Sequence, residues 1–437
     1  MCRQPDRQIW HKQGSRMEFM EINGFNKPEK TGGIEENAEN EGIKRRKERK
    51  EGKEGKGITA KDQWISLFQW FHRHPELGYE EFETTAKIKE VLQEYHIETV
   101  PSGLKTGVIA VIRGSRKGKE ICLRADIDAL PVKEDTCLEY ASEKEGKMHA
   151  CGHDFHTTAA LCAAALLQEN KEDIHGTVYI IFQPAEEIIG GAEEVLRTGI
   201  LDHVAEFYGF HAEPSLEVGE ISCEAGGVMA AVDQFSICMT GKGCHGATPW
   251  LGNNPIPVLT ALVNDIYQIS GENMAQPHTR VISVTHVEAG NTWNIIPEQG
   301  YLEGTVRTLD AEDRKQVKKA IHEITDKWNG KNGIEAVIKW HDGPDAVIND
   351  RELCAFANEI LQYGQLSPAH LPPAMAGEDF SKYAAVKNAK SLYLKIGTGA
   401  GPSLHNSRFC VNPEAIKMTA EFFAQLLCKR AAEISER

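Results

Sequence analysis

A cysteine and a histidine lie two positions apart in the stretch Met148-His149-Ala150-Cys151-Gly152-His153-Asp154. The stretch precedes the apolar run from Thr157 to Leu167, so its glycine-containing turn would present both side chains at the start of a helix. Thiolate and imidazole are ligands that zinc and similar divalent cations accept. A structural zinc module would carry a second Cys/His pair at similar spacing. The stretch alone therefore predicts only half of a metal site.

Further candidate ligands follow predicted β-strands at the points where the strands end. The strands are the β-rich runs Ile121–Arg124, Thr177–Phe182 and Phe207–Phe210. The polar side chains that follow them are two pairs of carboxylates and one imidazole: Asp126 and Asp128, Glu186 and Glu187, and His211. Alternating β and α units bring the carboxyl ends of parallel strands to one edge of a sheet. We therefore expect these groups to share that edge.

The same edge has the groups that metal-dependent hydrolysis requires. Enough ligands are present for two divalent cations that share a bridging group: Cys151, His153, one glutamate of the pair 186/187, His211 and His405. Hydrolysis also needs an open position for water and a base that is not a ligand. Adjacent glutamates on a loop can face different ways, so one can be the ligand and the other the base. We predict that Cys151 is a bridging ligand and not a nucleophile.

The predicted elements divide the chain into four segments. Residues 1–57 lack periodicity and mix 14 Lys and Arg with 11 Asp and Glu, which predicts a disordered charged tail. Residues 58–231 and 344–437 alternate strands with helices, whereas 232–343 follow the order strand-helix-strand-strand-helix-strand. We predict an α/β catalytic domain with a mostly parallel central sheet and helices on both faces. An α+β lid and dimerisation domain would be inserted into it.

The size and charge of the chain bound its function. At 437 residues it exceeds the range of a single core. Beyond residue 57 it holds 35 Lys and Arg against 53 Asp and Glu, a formal charge of −18, which argues against nucleic acid as a partner. The absence of an 18-residue apolar run predicts no membrane span. Eleven scattered cysteines without a secretory signal predict a cytoplasmic protein with reduced thiols.

Several motifs give the chain a resemblance to a known family: His72–Leu77, Arg124–Pro131, Met148–Asp154, Phe182–Glu187, Gly241–His245, Asn294–Glu298, Ala376–Phe380 and Leu404–Asn406. Over residues 60–430 they resemble the dinuclear metal-dependent amidohydrolases. This group includes hippurate hydrolase, indoleacetyl-amino-acid hydrolase and N-acyl-amino-acid deacylases, and is related to carboxypeptidase G. The resemblance implies a zinc-exopeptidase-like fold and hydrolysis of N-acyl or N-aroyl amino acids.

The resemblance also implies a role for individual residues. The metal ligands would be Cys151, His153, Glu187, His211 and His405. Glu186 would be the general base that takes a proton from water and delivers one to the leaving amine. Three residues of the inserted segment would contact the substrate: His245 at the developing oxyanion, Asn294, and Arg307 at the carboxylate. Two divalent cations per subunit are implied, with Zn, Mn, Co and Ni open, together with a homodimer through the inserted domain.

Alternatives remain for the function and for several side chains. A dipeptidase or carboxypeptidase would use the same ligands, a cysteine amidase would use Cys151 as a nucleophile, and a non-catalytic scaffold would only hold the metals. Asp126 and Asp128 are expected to orient a ligating histidine and not to bind metal. His156 is expected to cap the following helix, and His72 to be a surface or packing residue.

Overall fold

The computed structural model describes residues 60–270, 280–362 and 364–433, so the predicted tail at 1–57 lies outside the described residues. The described residues form eight α-helices: α1 (Ala60–Arg73), α2 (Phe82–Glu94), α3 (His153–Glu169), α4 (Gly191–Arg197), α5 (Pro255–Ser270), α6 (Ala311–Trp328), α7 (Arg351–Leu361) and α8 (Glu414–Glu433). They also form sixteen strands: β1 (Glu98–Val100), β2 (Val108–Arg113), β3 (Arg116–Asp126), β4 (His175–Gln183), β5 (Glu206–Glu213), β6 (Glu220–Ser222), β7 (Gly226–Met229), β8 (Ala231–Thr240), β9 (Cys244–His245), β10 (Arg280–Ala289), β11 (Ile295–Ile296), β12 (Gln299–Thr308), β13 (Glu335–Asp342), β14 (Val347–Asn349), β15 (Ser367–Ala369) and β16 (Lys390–Gly397).

Eight of the strands form a central sheet in the order β1-β2-β4-β3-β5-β16-β6-β15. Four of the seven neighbouring pairs are parallel, including the central run β4-β3-β5-β16. The antiparallel pairs are β1 with β2, β2 with β4, and β6 with β16. The predicted α/β fold with a mostly parallel central sheet is confirmed. The carboxyl ends of β3, β4, β5 and β16 consequently meet at one edge.

Helices cover both faces of the central sheet, as its fully buried strands require. On one face a large core includes Phe68 of α1, Phe155 of α3 and Phe423 of α8, each at most 1% exposed. On the other face Val195 of α4 and Phe380 pack in a second core. Within the described ranges, none of the helices combines the length and the apolar character that crossing a bilayer requires.

A second, four-stranded sheet is formed within residues 231–342. Its order is β10-β12-β8-β13, and all its pairs are antiparallel. Leu262 of α5 and Ile321 of α6 pack with Phe235 of β8 in a third core. The short strands β9 and β11 pair with each other outside this sheet. The chain enters the segment through β7 and leaves it through β14, which are themselves paired.

His72, at the end of α1, is a buried and hydrogen-bonded residue, whereas the sequence predicted a surface or packing residue. His72 is 2% exposed, with Nδ1 2.6 Å from Asp154 Oδ2 and Nε2 3.2 Å from Glu134 Oε1. Burial by itself lowers the pKa of His72, but the hydrogen bonds to the two carboxylates outweigh it and raise the pKa to about 9. His72 is therefore one half of an internal ion pair.

We expect this ion pair to make folding stability depend on pH. Because the pKa of His72 rises from 6.5 to about 9 on folding, the pair contributes about 3 kcal/mol. That contribution is fully present below pH 6.5 and is lost as the pH rises through 9. Urea unfolding of wild type and His72→Gln should show the two free energies of unfolding converging as the pH rises. A difference that stays constant across this range would contradict the assignment.

Candidate metal centre and active site

The Cys-x-His turn leads directly into α3, which begins at His153. Gly152 has φ 86, in the left-handed region, and a Cβ there would lie 2.8 Å from the Ala212 Cβ. Glycine is therefore required both by the backbone conformation and by the closeness of β5. The turn fixes Cys151 and His153 at the edge of the sheet where the parallel strands end.

Cys151 lies between two imidazoles. Its Sγ is 3.4 Å from His211 Nε2 and 3.3 Å from His405 Nε2. His211 Nδ1 donates to the Ala212 carbonyl at 2.7 Å, which leaves Nε2 as the unprotonated nitrogen facing the sulfur. His405 is held by its backbone N–H, which donates to Ala150 O at 2.8 Å. A cation in contact with the sulfur would therefore meet two imidazole nitrogens.

His153 and Glu187 present ligand atoms that have no protein partner. His153 Nδ1 donates to Asp128 O at 2.9 Å, so its Nε2 faces Glu187 Oε1, 3.8 Å away, as a bare acceptor. Both atoms are buried, and neither has a hydrogen-bond partner in the described part of the chain. The other oxygen, Glu187 Oε2, is 3.7 Å from His405 Nε2. Buried polar atoms without partners are costly, and cations between them would remove that cost.

The structure brings the five predicted ligands together in overlapping groups. Within each group, one ligand atom per residue lies within 4.8 Å of the others: Cys151, His153 and His211; Cys151, Glu187 and His405; His153, Glu186 and Glu187. Cys151 belongs to two groups, as a bridging thiolate would require. Burial raises the pKa of the Cys151 thiol, so a neighbouring cation is what would favour the thiolate. The sulfur, nitrogen and oxygen donors fit divalent cations.

Glu186 lies beside this cluster and is 9% exposed. One side of it approaches His153, and the other approaches Glu378 and Asp379. Burial, and then the charges of these two carboxylates, raise the pKa of Glu186 well above its ordinary value. A raised pKa suits a carboxylate that must accept a proton and hold it between two steps.

Arg124, which the sequence did not identify as a functional residue, is the centre of a buried polar network beside Glu186. Arg124 is 0% exposed, and its guanidinium donates to four side chains: Asp126 at 2.5 Å, Gln183 at 2.9 Å, Glu378 at 3.0 Å and Asp379 at 2.8 Å. Burial raises the pKa of Asp379 to about 7, although Arg124 acts in the opposite direction. The sequence signal for this network was Arg124 itself, a charged residue inside an apolar strand. A charged side chain is buried in such a strand only when it has partners.

Asp126 and Asp128 hold imidazoles and backbone in place around the cluster. Asp128 Oδ2 accepts from the Glu187 N–H at 3.0 Å, and its Oδ1 is 3.3 Å from His153 Nδ1. Asp126 Oδ1 is 2.5 Å from Nδ1 of His156, whose Nε2 accepts a backbone N–H of β5 at 2.8 Å. The expectation that His156 caps α3 is wrong, since its ring links β3 to β5 and the helix has no side-chain cap.

The three predicted substrate contacts lie in the inserted segment and not on the strands of the central sheet. His245 is exposed, and its Nδ1 accepts the Ala247 N–H at 3.1 Å. Asn294 is half-buried beside it, and its backbone carbonyl accepts the Gly246 N–H at 2.8 Å. Arg307 Nε donates to a threonine hydroxyl of its own strand at 3.0 Å. Among the described residues, no hydrogen bond or ion pair joins these three to the five ligands.

Known proteins share both the sequence and the fold of this chain. Residues 122–429 match peptidase family M20/M25/M40. N-acetyl-L-cysteine deacetylase of Bacillus subtilis is 39% identical over 86% of this chain and 90% of its own length, and hippurate hydrolase of Campylobacter jejuni is 34% identical over 82% and 94%. The crystal structure of Bacillus subtilis YXEP protein, described as a dinuclear metal-binding peptidase of the M20 family, aligns with a TM-score of 0.77 and 36% identity over 85% of this chain and 98% of that one. The chain belongs to peptidase family M20/M25/M40.

Proposed function

We propose that this metal-dependent amidohydrolase cleaves the amide bond of N-acyl and N-aroyl amino acids, releasing a carboxylic acid and a free amino acid. The observation that carries the proposal is the cluster of five ligand side chains with Glu186 beside it. The names of the relatives agree with this class of reaction, since one deacetylates N-acetyl-L-cysteine and another hydrolyses hippurate, an N-aroyl amino acid.

Each side chain of the cluster has a role in this reaction. The residues that would hold two divalent cations are Cys151, His153, Glu187, His211 and His405, with Cys151 between the two positions. When bound, the cations would polarise the scissile carbonyl and lower the pKa of the attacking water. Glu186 would accept the proton of that water and deliver it to the leaving nitrogen. Asp128 holds the ring of His153 and the backbone of Glu187, and so preserves the orientation of these two proposed ligands.

The inserted segment is proposed to be a lid and a dimerisation domain. Trp250 and Trp293, close in sequence to His245 and Asn294, are 75% and 94% exposed. Exposed aromatic side chains of this size are typical of surfaces that become covered. We propose that lid closure or a homodimer carries His245 to the developing oxyanion and seats Asn294 and Arg307 on the substrate.

The metal and the cellular location are also proposals. The donor set of one thiolate, three imidazoles and one carboxylate suits zinc, and manganese, cobalt and nickel accept the same donors. The ten cysteines in the described ranges are all free thiols. Free thiols in such number are typical of a reducing compartment, and we propose that the enzyme is cytoplasmic.

Removal of metal is expected to lower hydrolysis by at least about 100-fold, because the carbonyl and the water would lose their polarising charge. Metal-stripped protein, with and without added Zn, Mn, Co or Ni, would be assayed for amino-acid release from acetyl-, benzoyl- and indoleacetyl-amino acids. Dipeptides in the same panel test the alternative that the enzyme is a peptidase, which would hydrolyse them in preference to the N-acyl amino acids. Turnover that survives chelation but is lost on thiol alkylation would contradict the proposal and favour a cysteine nucleophile.

A further inference from the structure

Lys395 places a positive charge at the edge of the metal cluster. It lies on β16, and its register partner on β5 is the proposed ligand His211. Neighbouring strands are about 4.8 Å apart, so the two side chains begin side by side. Side chains alternate along a strand, and Lys395 therefore shares a face with Tyr393, whose ring centroid is 5.7 Å from Nζ. Tyr393 in turn donates to Glu378, which belongs to the network behind Glu186.

The Lys395 side chain lines a small, open pocket together with Glu213, Glu224, Val228 and Ala374. The two carboxylates of this pocket already have partners. Glu213 Oε1 accepts from the hydroxyl of Ser215 at 2.7 Å, and Glu224 Oε1 is 2.6 Å from a histidine ring nitrogen. The pocket therefore combines apolar walls with a cation on which Glu213 acts through its charge but to which no carboxylate of the described residues is paired.

The ammonium group of Lys395 lies over the Tyr393 ring but forms no ion pair among the described residues. In the part of the chain that the structure describes, Nζ makes no hydrogen bond, and no carboxylate lies within 4.0 Å of it. The side chain is partly buried, and burial lowers the pKa of Lys395. A partly buried ammonium without a hydrogen-bonded anion is unfavourable, and a substrate carboxylate would supply one.

We infer that Lys395 binds the α-carboxylate of the N-acyl amino acid and that the pocket it lines takes the amino-acid part of the substrate. This inference rests on the proposed function. The α-carboxylate carbon is three bonds from the scissile carbonyl carbon, no more than about 4 Å away, so its cation must adjoin the metal cluster. Lys395 adjoins the cluster through His211, whereas Arg307 lies on β12 of the other sheet.

The test compares KM and kcat in variants of the metal-loaded enzyme. Lys395→Met should raise KM for N-acetyl amino acids about 10- to 100-fold, as expected for the loss of a charge-assisted hydrogen bond, and change kcat far less. It should leave KM unchanged for the matching N-acetyl amino acid amides, which lack the carboxylate. Lys395→Arg should restore most of the affinity. The control Lys387→Met removes an exposed charge from the loop before β16 and should have no effect.

A binding measurement separates substrate affinity from turnover. Calorimetric titration of N-benzoyl amino acids into Glu186→Gln and into Glu186→Gln/Lys395→Met should show the same 10- to 100-fold loss, with equal metal content in both proteins. Equal KM in wild type and Lys395→Met, or a KM rise found only in Arg307→Met, would overturn the role of Lys395 while leaving the proposed function intact. If wild type hydrolyses no N-acyl amino acid, the proposed function fails and the inference fails with it.

Discussion

Replacing Glu186 with glutamine is expected to lower kcat by about 10³-fold while the protein keeps its metal. The amide retains the size of the carboxylate but cannot accept a proton from water or return one to the leaving nitrogen. Because Glu186 is 9% exposed and lies between the ligands and two further carboxylates, bulk solvent is poorly placed to replace it. Steady-state kinetics on an N-acyl amino acid, together with elemental analysis of the purified variant, would check both parts.

Two further glutamine variants make this result specific. Glu193→Gln alters an exposed carboxylate on α4 and should leave kcat within about twofold of wild type, because exposed polar groups away from the site contribute little. Glu187→Gln should instead reduce the metal content, since Glu187 has a buried oxygen without a protein partner in the described residues. A normal rate in Glu186→Gln would rule out the base assignment, and loss of metal from it would identify Glu186 as a ligand.

The sequence could predict which side chains gather in the cluster because each of them follows a local signal. Strand ends in a parallel sheet converge by topology, and Glu186 indeed lies just beyond the end of β4 while His211 lies near the end of β5. The turn before α3 is encoded by Gly152, because glycine adopts its positive φ without the steric cost that a Cβ brings. These signals depend on spacing and residue type alone, so they survive without knowledge of the tertiary packing.

The polar network could not be predicted in the same way, because its partners are far apart in the chain. Arg124 meets Glu378 across 254 positions, and nothing near either residue specifies the other. The strained backbone before Glu186 could not be predicted either. Ala185 has φ 53, an uncommon conformation for alanine, and its N–H donates to the buried Glu81 Oε1 at 2.8 Å. Both features depend on surrounding structure that holds unfavourable groups in place.

The predicted substrate contacts show a third limit on what the sequence alone can predict. The motif around His245 predicts a substrate contact, but the distance from that residue to the proposed ligands depends on the arrangement of two separate sheets. Lys395 has no sequence motif around it. It becomes a candidate substrate-binding residue only because the structure pairs it in register with His211. Site residues that depend on register or on domain placement therefore need the structure.

Replacing Arg124 with methionine is expected to destabilise the protein by about 3–5 kcal/mol, because it leaves buried carboxylates without their cation. Although burial acts to raise it, the guanidinium holds the pKa of Asp126 well below its ordinary value, and Glu378 and Asp379 accept from the same group. Urea unfolding of the metal-stripped variant and of metal-stripped wild type would measure the loss. The control Arg113→Met removes an exposed ion pair on β2 and should cost less than about 1 kcal/mol.

The pH dependence of that loss separates charge from packing. Without Arg124 the pKa of Asp126, which the guanidinium holds low, rises, so the variant protonates Asp126 at a pH where wild type keeps it ionised. A protonated carboxyl needs no buried cation, and the stability gap between variant and wild type should therefore narrow as the pH falls from 7 towards 5. An equal stability difference at both pH values would mean that Arg124 stabilises the fold through its packing and not through its charge. The Arg124 network would then not be what sets the proton affinity of Glu186.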